Sequence, residues 1–201
     1  MEFNGTFTLD GATVEEVWLA FSDPYMIKNA LPGCQFLVEV DSASPDDVDF
    51  DALAEEATES EDPPILPDAD PDDVAERAFE EGGNYAALMQ IKIGSVNPQF
   101  RTVVTIDRRE MPEMDASGEG QSGDSSFEMD SWMTLTETDE GVDVEWGAEA
   151  DVFGRIANMG QRLISPVANR VVKRFFKKVQ SQISEVSDDD SGLRDRIKGY
   201  F

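Results

Sequence analysis

The sequence predicts an α+β fold in which a curved antiparallel sheet wraps onto one long C-terminal helix, and three features predict it. From Tyr85 to Val152, runs of alternating apolar and polar residues follow one another with turn residues between them, the pattern of an antiparallel meander with one wet face. From Gly154 to Ile183, apolar residues recur at spacings of one, three and four, which gives a helix whose apolar face is broad enough to need a whole sheet beneath it. Before both, the chain opens with one strand and two short helices, so that an early strand joins the later meander.

Phe3 and Thr6 to Leu9 make a first strand, ended by Asp10 and Gly11. Thr13 and Glu16 have capping-box spacing, and Val14, Val17, Trp18 and Phe21 give the following helix its apolar side. Asp23 and Pro24 start a second short helix carrying Tyr25, Met26, Ile27 and Leu31, which Pro32 and Gly33 stop. Cys34, Phe36, Val38 and Val40 then share the apolar side of a second strand.

The pattern vanishes from residue 41 to 83, an acidic insertion between the second and third strands. Within it, Ser44-Pro45-Asp46-Asp47 and Asp70-Pro71-Asp72-Asp73 each combine an N-cap, Pro at the first helical position and two carboxylates at the positive end of the helix dipole. Two short acidic helices are expected, loosely docked because they carry few apolar residues. Asp68, Asp70 and Asp72 lack the loop glycine and terminal Glu of a calcium loop, so no metal site is assigned.

The meander follows. Tyr85, Ala87, Met89, Ile91 and Ile93 alternate on one side of one strand, and Phe100, Thr102, Val104 and Ile106 on one side of the next. A weaker strand beyond Pro112 contains Gly118 and Gly120 and is expected to be thin or bulged. Phe127, Met129, Ser131, Met133 and Leu135 then face Val142, Val144, Trp146, Ala148, Ala150 and Val152 of the last strand. The long helix covers that side, Arg155, Arg162, Arg170, Lys173, Arg174, Lys177 and Lys178 occupy its opposite face, and Ser165-Pro166 predicts a capped restart with a kink. Residues 1–187 are read as the domain and 188–201 as a tail, in which Leu193, Ile197, Tyr200 and Phe201 fall on one side of a short helix.

Composition narrows the function. Forty-three acids against sixteen bases give a formal net charge of -27, with no histidine. Such a surface repels a phosphate backbone, so no nucleic-acid partner is expected, and acids spread through every segment read as halophilic adaptation. A lone Cys34 leaves no disulfide and no zinc set, which suits a reducing cytoplasm, and no apolar run is long enough to span a bilayer.

Three blocks carry a resemblance. Val17-Trp18, Asp23-Pro24 and Leu31-Pro32-Gly33-Cys34, then Ile91-Lys92-Ile93-Gly94-Ser95-Val96 with Phe100, then Gly154 through Ile164 with Phe175-Phe176, together resemble the carbon monoxide dehydrogenase CoxG family of the START-like, polyketide-cyclase-like superfamily. The resemblance covers nearly all of the chain outside the acidic insertion and the tail, and it implies a helix-grip fold. It also implies a non-catalytic accessory protein that holds a lipophilic ligand, a quinone, in the grip cavity and docks a molybdenum hydroxylase near the membrane, with no covalently bound cofactor. Many relatives end in a membrane-spanning tail; here the basic, aromatic tail would make a peripheral membrane contact instead, leaving the protein cytoplasmic or membrane-peripheral.

The candidate cavity residues are Met89, Phe100, Val104, Phe127, Met129, Met133 and Trp146 from the sheet, with Met159 and Leu163 from the helix. Methionine and aromatic side chains make adaptable walls for a lipophilic ligand, and they equally make an ordinary core. Two alternatives stand beside the carrier: a cyclase- or hydrolase-type enzyme, for which no nucleophile and base can be paired, and an assembly subunit with a filled core. Ser131 and Thr102 are inward polar residues that read as hydrogen-bonded core or ligand contacts. The charge balance makes a prediction of its own. Self-repulsion is screened over about 30 Å at 0.01 M salt and about 3 Å at 1 M, so the melting temperature should rise between those concentrations of NaCl, and a flat or falling profile would contradict the halophilic reading.

Overall fold

The computed structural model describes residues 1–188 together with Ile197. Seven antiparallel strands form one sheet: β1 (Glu2–Asp10), β2 (Cys34–Val40), β3 (Asn84–Gln90), β4 (Gln99–Glu110), β5 (Glu113–Ser122), β6 (Ser125–Glu137) and β7 (Gly141–Phe153), in the order β1-β7-β6-β5-β4-β3-β2. Every connection from β3 to β7 is a hairpin, and β1 closes the far edge by pairing with β7 from Glu2↔Glu149 to Asp10↔Gly141. With the C-terminal helix lying across one face, the arrangement is that of an α+β, helix-grip-like fold.

The two opening helices are α1 (Val14–Ser22) and α2 (Pro24–Ala30). Thr13 Oγ1 accepts from Glu16 N at 3.3 Å while Glu16 Oε2 accepts from Thr13 N at 2.8 Å, the reciprocal capping box that the spacing predicts. Asp23 caps α2 through Tyr25 N at 2.9 Å, with Pro24 at the first helical position.

The C-terminal region is not one helix. A single turn, α5 (Gly154–Ala157), is followed by a break at Asn158–Gly160 and then by α6 (Gln161–Asp188). The break falls at Gly160, whose φ of +79° lies in the left-handed region that favours glycine. Pro166, expected to restart the helix behind a Ser165 cap, lies inside a continuous α6 instead. Ser125 Oγ accepts from Ile156 N at 3.1 Å, which ties α5 to the start of β6.

The second strand departs from its simple alternation. A register shift between Cys34 and Phe36 puts Cys34 with Leu37 on the face towards α6, while Phe36, Val38 and Val40 point the other way. They point at the β2–β3 connection, which is well packed rather than loosely docked. A 3₁₀ turn (Pro45–Asp47) and α3 (Phe50–Glu59) cover this second face, with Phe50 buried against Phe36, Ala86, Leu88 and Val103. The next helix, α4 (Pro71–Glu76), buries Val74 with Leu66 and Ala69 in the main core beside α1. Few apolar residues suffice because the anchoring ones are almost wholly buried, Phe50 being 2% exposed and Val74 0%, with Val48, Leu53 and Ile65 partly buried around them.

The most buried ion pair of this connection is made by Arg77, beside the more exposed Lys28–Asp62 and Arg101–Asp51 pairs. Arg77 makes a two-pronged ion pair with Asp23, Nε to Oδ1 at 3.1 Å and Nη2 to Oδ2 at 2.6 Å, donates to Pro64 O at 2.9 Å and lies over the Tyr25 ring. The Asp23 side chain is fully buried and its backbone neighbour Ser22 accepts from Phe79 N at 2.8 Å, so the pair locks residues 64–79 onto the α1–α2 corner. The glycine-rich β5 is regular and paired on both sides; the bulge lies opposite, in β4 between Ile106 and Arg108. Arg77→Met removes a paired charge and leaves the Asp23 carboxylate buried, which costs about 3 kcal/mol; urea unfolding should show a lower midpoint, and a loss below about 1 kcal/mol would show that the pair does not fasten the connection.

Candidate functional site

Strand register puts the predicted wall residues on one face. Met89 pairs with Phe100, Thr102 with Gly120 and Gly120 with Phe127; Val104 pairs with Gly118 and Gly118 with Met129; Met114 pairs with Met133 and Met133 with Trp146. Because paired residues share a face, Met89, Phe100, Val104, Phe127, Met129, Met133 and Trp146 all point towards α6. Met159, in the turn before α6, joins them, whereas Leu163 does not. It is 49% exposed, because Ile164 and Val167 take the inward phase of the helix.

These side chains form two groups rather than one lining. At the α5 end, Ile93, Phe100 and Ile156 are buried, with Met89, Phe127, Met159, Ile164 and Val167 packed around them and the Phe100 and Phe127 rings edge to face at 5.5 Å. At the other end, Phe176 stacks on Phe7 at 4.8 Å and lies 6.1 Å from Trp146, with Met133, Phe21 and Phe175 beside them. Ile183 and Ile197 complete that cluster, so Ile197 is buried in the fold; Leu193, Tyr200 and Phe201 of the expected membrane-contacting tail lie outside the described residues. The main backbone contacts of α6 are with β1, α1 and α2, not with the middle strands.

Between the two clusters the inward positions are mostly small, with Met129 and Phe3, the partner of Ala148, as the large exceptions. Ala116, Gly118 and Gly120 of β5 face Ser131 and Met129 of β6, with Ala148 and Ala150 of β7 beyond. Met129, Ser131, Ala148 and Ala150 are each half-buried. Phe127 and Trp146 stand at the two ends of this stretch, and the Trp146 indole lies on the bare backbone of Gly5. Gly118 and Gly120, expected to thin the strand, share the inward phase with Ala116, and that periodicity was the available sign of this floor. Phe176 and Ile93, which close the ends, were legible only as generic apolar positions.

The polar groups facing this side are few. Ser131 Oγ donates to Ala116 O at 3.0 Å, while Thr102 Oγ1 is buried and has no hydrogen-bond partner. Cys34 Sγ donates to Phe36 O at 3.2 Å, and burial pushes its thiol up to about 12, so it stays a neutral thiol at pH 7 and is a poor nucleophile. Burial also raises Tyr85, whose hydroxyl accepts from Glu80 N at 2.9 Å, and lowers Arg109, which lies over the Trp18 ring and donates to Ser22 Oγ at 3.2 Å. These groups are bound into the structure around α1 and β3, with no base poised beside a nucleophile among the described residues.

The outer surface of α6 is chemically unlike the rest. Residues 154–184 contain seven bases and no acid, whereas residues 1–153 contain 38 acids and six bases. Arg155, Arg162, Arg170, Lys173, Arg174, Lys177 and Lys178 are all exposed, and among the described residues none forms an ion pair, unlike Lys28, Arg77, Arg101 and Arg108. No helix of the described residues is long and apolar enough to cross a membrane.

Among solved structures the chain is similar to a conserved protein from Geobacillus kaustophilus, with a TM-score of 0.64 at 23% identity over 92% of this chain and 95% of that one. It is similar also to proteins from Chromobacterium violaceum, with a TM-score of 0.55 at 12% identity over 90% and 96%, and from Thermus thermophilus, with 0.55 at 11% over 92% and 97%. At these identities the likeness shows the fold alone. No curated protein matches the chain. The sequence profile of the carbon monoxide dehydrogenase CoxG subunit matches residues 76–184, more than half of the chain, running from the end of α4 through β3–β7 and along nearly all of α6. The inward-facing residues of β3–β7 and the cationic helix both lie inside the matched region, and the chain belongs to the carbon monoxide dehydrogenase CoxG family.

Proposed function

We propose that this protein is a non-catalytic accessory subunit that carries a lipophilic ligand, a quinone, in a trough beneath α6. The observation that carries this reading is the gap in side-chain size. Large apolar residues fill both ends of this face, while its centre carries Ala116, Gly118, Ala148 and Ala150, with the half-buried Met129 and Phe3 beside them. A filled core would place bulk at the centre, because protein interiors pack to crystal-like density. An apolar trough with adaptable methionine walls suits a flexible lipophilic guest.

The docking half of the role has its own support. Six exposed cations on α6 and Arg155 on α5, none ion-paired among the described residues, form in a chain of net charge -27 a surface complementary to an acidic partner, and the family description names carbon monoxide dehydrogenase. We assign this face to a carboxylate-rich surface of a molybdenum hydroxylase. The bulk of the chain repels such a surface, so contact through α6 would also fix the orientation of the complex.

Both halves are testable. A decyl-substituted benzoquinone should quench tryptophan emission in the intact chain, with the quenching largely lost in Trp146→Phe and binding lost in Ala148→Trp, which fills the floor; a quinone without effect on the intact chain would remove the carrier reading. Lys173→Glu combined with Arg174→Glu and Lys177→Glu should abolish salt-sensitive capture of a carbon monoxide dehydrogenase-type enzyme. Capture unchanged by the reversal would move the docking surface elsewhere.

A further inference from the structure

We infer that Thr102 Oγ1 is the polar anchor of the trough, the hydroxyl that meets an acceptor oxygen, such as a ring carbonyl, on the bound ligand. The inference rests on the carrier reading and adds to it the atom that orients the guest. Thr102 is 5% exposed, and its hydroxyl has no partner in the protein. Buried hydroxyls in folded proteins are overwhelmingly hydrogen-bonded, and a threonine in a strand that needed only bulk could be valine at no loss of shape.

The direction of the group is given by its neighbour. A Cβ on Gly120, the residue paired with Thr102 across β4 and β5, would stand 2.7 Å from Thr102 Oγ1 and 2.5 Å from the Phe127 ring. The hydroxyl therefore lies over the bare backbone of Gly120, in space that any other residue would occupy, beneath the rim of Phe127. Ser131, the other inward hydroxyl, already donates to Ala116 O, which leaves Thr102 as the free donor of the pair. Phe127 is half-buried, and rotating its ring away from Gly120 would open the hydroxyl to the trough. The surroundings are otherwise apolar, with Phe100 and Val104 flanking Thr102 on the same face of β4. A guest with one acceptor oxygen at its head and an apolar body would satisfy this donor; the other buried polar atom without a partner among the described residues, Gln182 Oε1, lies far along α6, where Gln182 Nε2 donates to Asn29.

The test pairs two probes with two variants. The decyl-substituted benzoquinone carries carbonyl acceptors; decylbenzene has a similar apolar body and none. Thr102→Val should weaken the benzoquinone by about five- to tenfold, the worth of one hydrogen bond, and leave decylbenzene affinity unchanged, while Thr102→Ser should retain most of the benzoquinone affinity. Without any ligand, Thr102→Val should melt at the same temperature as the parent or higher, since it removes an unsatisfied group. Equal benzoquinone affinity in the parent and Thr102→Val would overturn the anchor and leave the carrier reading standing. A marked fall in the ligand-free melting temperature of Thr102→Val would overturn it too, by showing that the hydroxyl already has a structural partner. Failure of the parent to bind either probe would remove the carrier reading and the anchor with it.

Discussion

A seven-stranded sheet is much wider than one helix, and most of this structure follows from that mismatch. Strands about 4.8 Å apart spread the sheet over roughly 29 Å, whereas an α-helix with its side chains is about 10 Å across. The 28 residues of α6 make it about 42 Å long, enough to cross the sheet but not to blanket it. Its two ends are met by bulk: Phe175, Phe176 and Val179 with Phe7, Phe21 and Trp146 at one end, Ile164 and Val167 with Ile93, Phe100 and Ile156 at the other. The middle strands carry glycine, alanine and serine where the helix stands off. Bulk at the two ends of the helix and mostly small side chains between them are the packing on which the proposed carrier role rests.

The same sheet presents a second face. Over β2–β4 that face is apolar, with Phe36, Val38, Ala86, Leu88 and Val103, and α3 covers it; over β6 and β7 it carries Asp130, Asp143, Glu145 and Glu149 and is left to water. The β2–β3 connection resolves an apparent conflict in its composition, since a segment this acidic can pack well if its carboxylates stay outside and a few large apolar residues, Phe50, Leu66, Val74 and Phe79, are almost completely buried. Arg77 is its one base, and it is used inwardly on Asp23 rather than to neutralise the surface. Charge is therefore not averaged over the molecule, and the cations that remain exposed are concentrated on α6. They set up a local potential opposite in sign to that of the rest of the surface.

Much of this could be read from the chain because the deciding patterns are periodic. Phe127 to Leu135 against Val142 to Val152, Thr13 with Glu16, and Asp23 with Pro24 announce strands, capping box and helix start, and register then puts seven sheet positions of the candidate wall on one face. What escaped the reading depended on single residues that alter phase. The register shift beside Cys34 turns Phe36 and Val38 away from the helix; Gly160 splits off α5; and the rotation of α6 that sends Ile164 inward puts Leu163 in solvent. The tight docking of residues 50–79 was hidden because Arg77 and Asp23 are 54 residues apart in sequence, and no local pattern links them. Glycines 118 and 120 look like weakness along the strand and become a floor only when Thr102 and Phe127 are seen on either side.

The central claim is that the space beneath the middle of α6 is built for a guest rather than left as an imperfect core. Mass spectrometry under non-denaturing conditions, on the full chain purified from its native host, tests this most directly. The account predicts a population heavier than the polypeptide by the mass of one lipophilic small molecule, released by organic solvent and depleted in Ala148→Trp. A single species at the mass of the bare polypeptide, unchanged by extraction and identical in the variant, would contradict it.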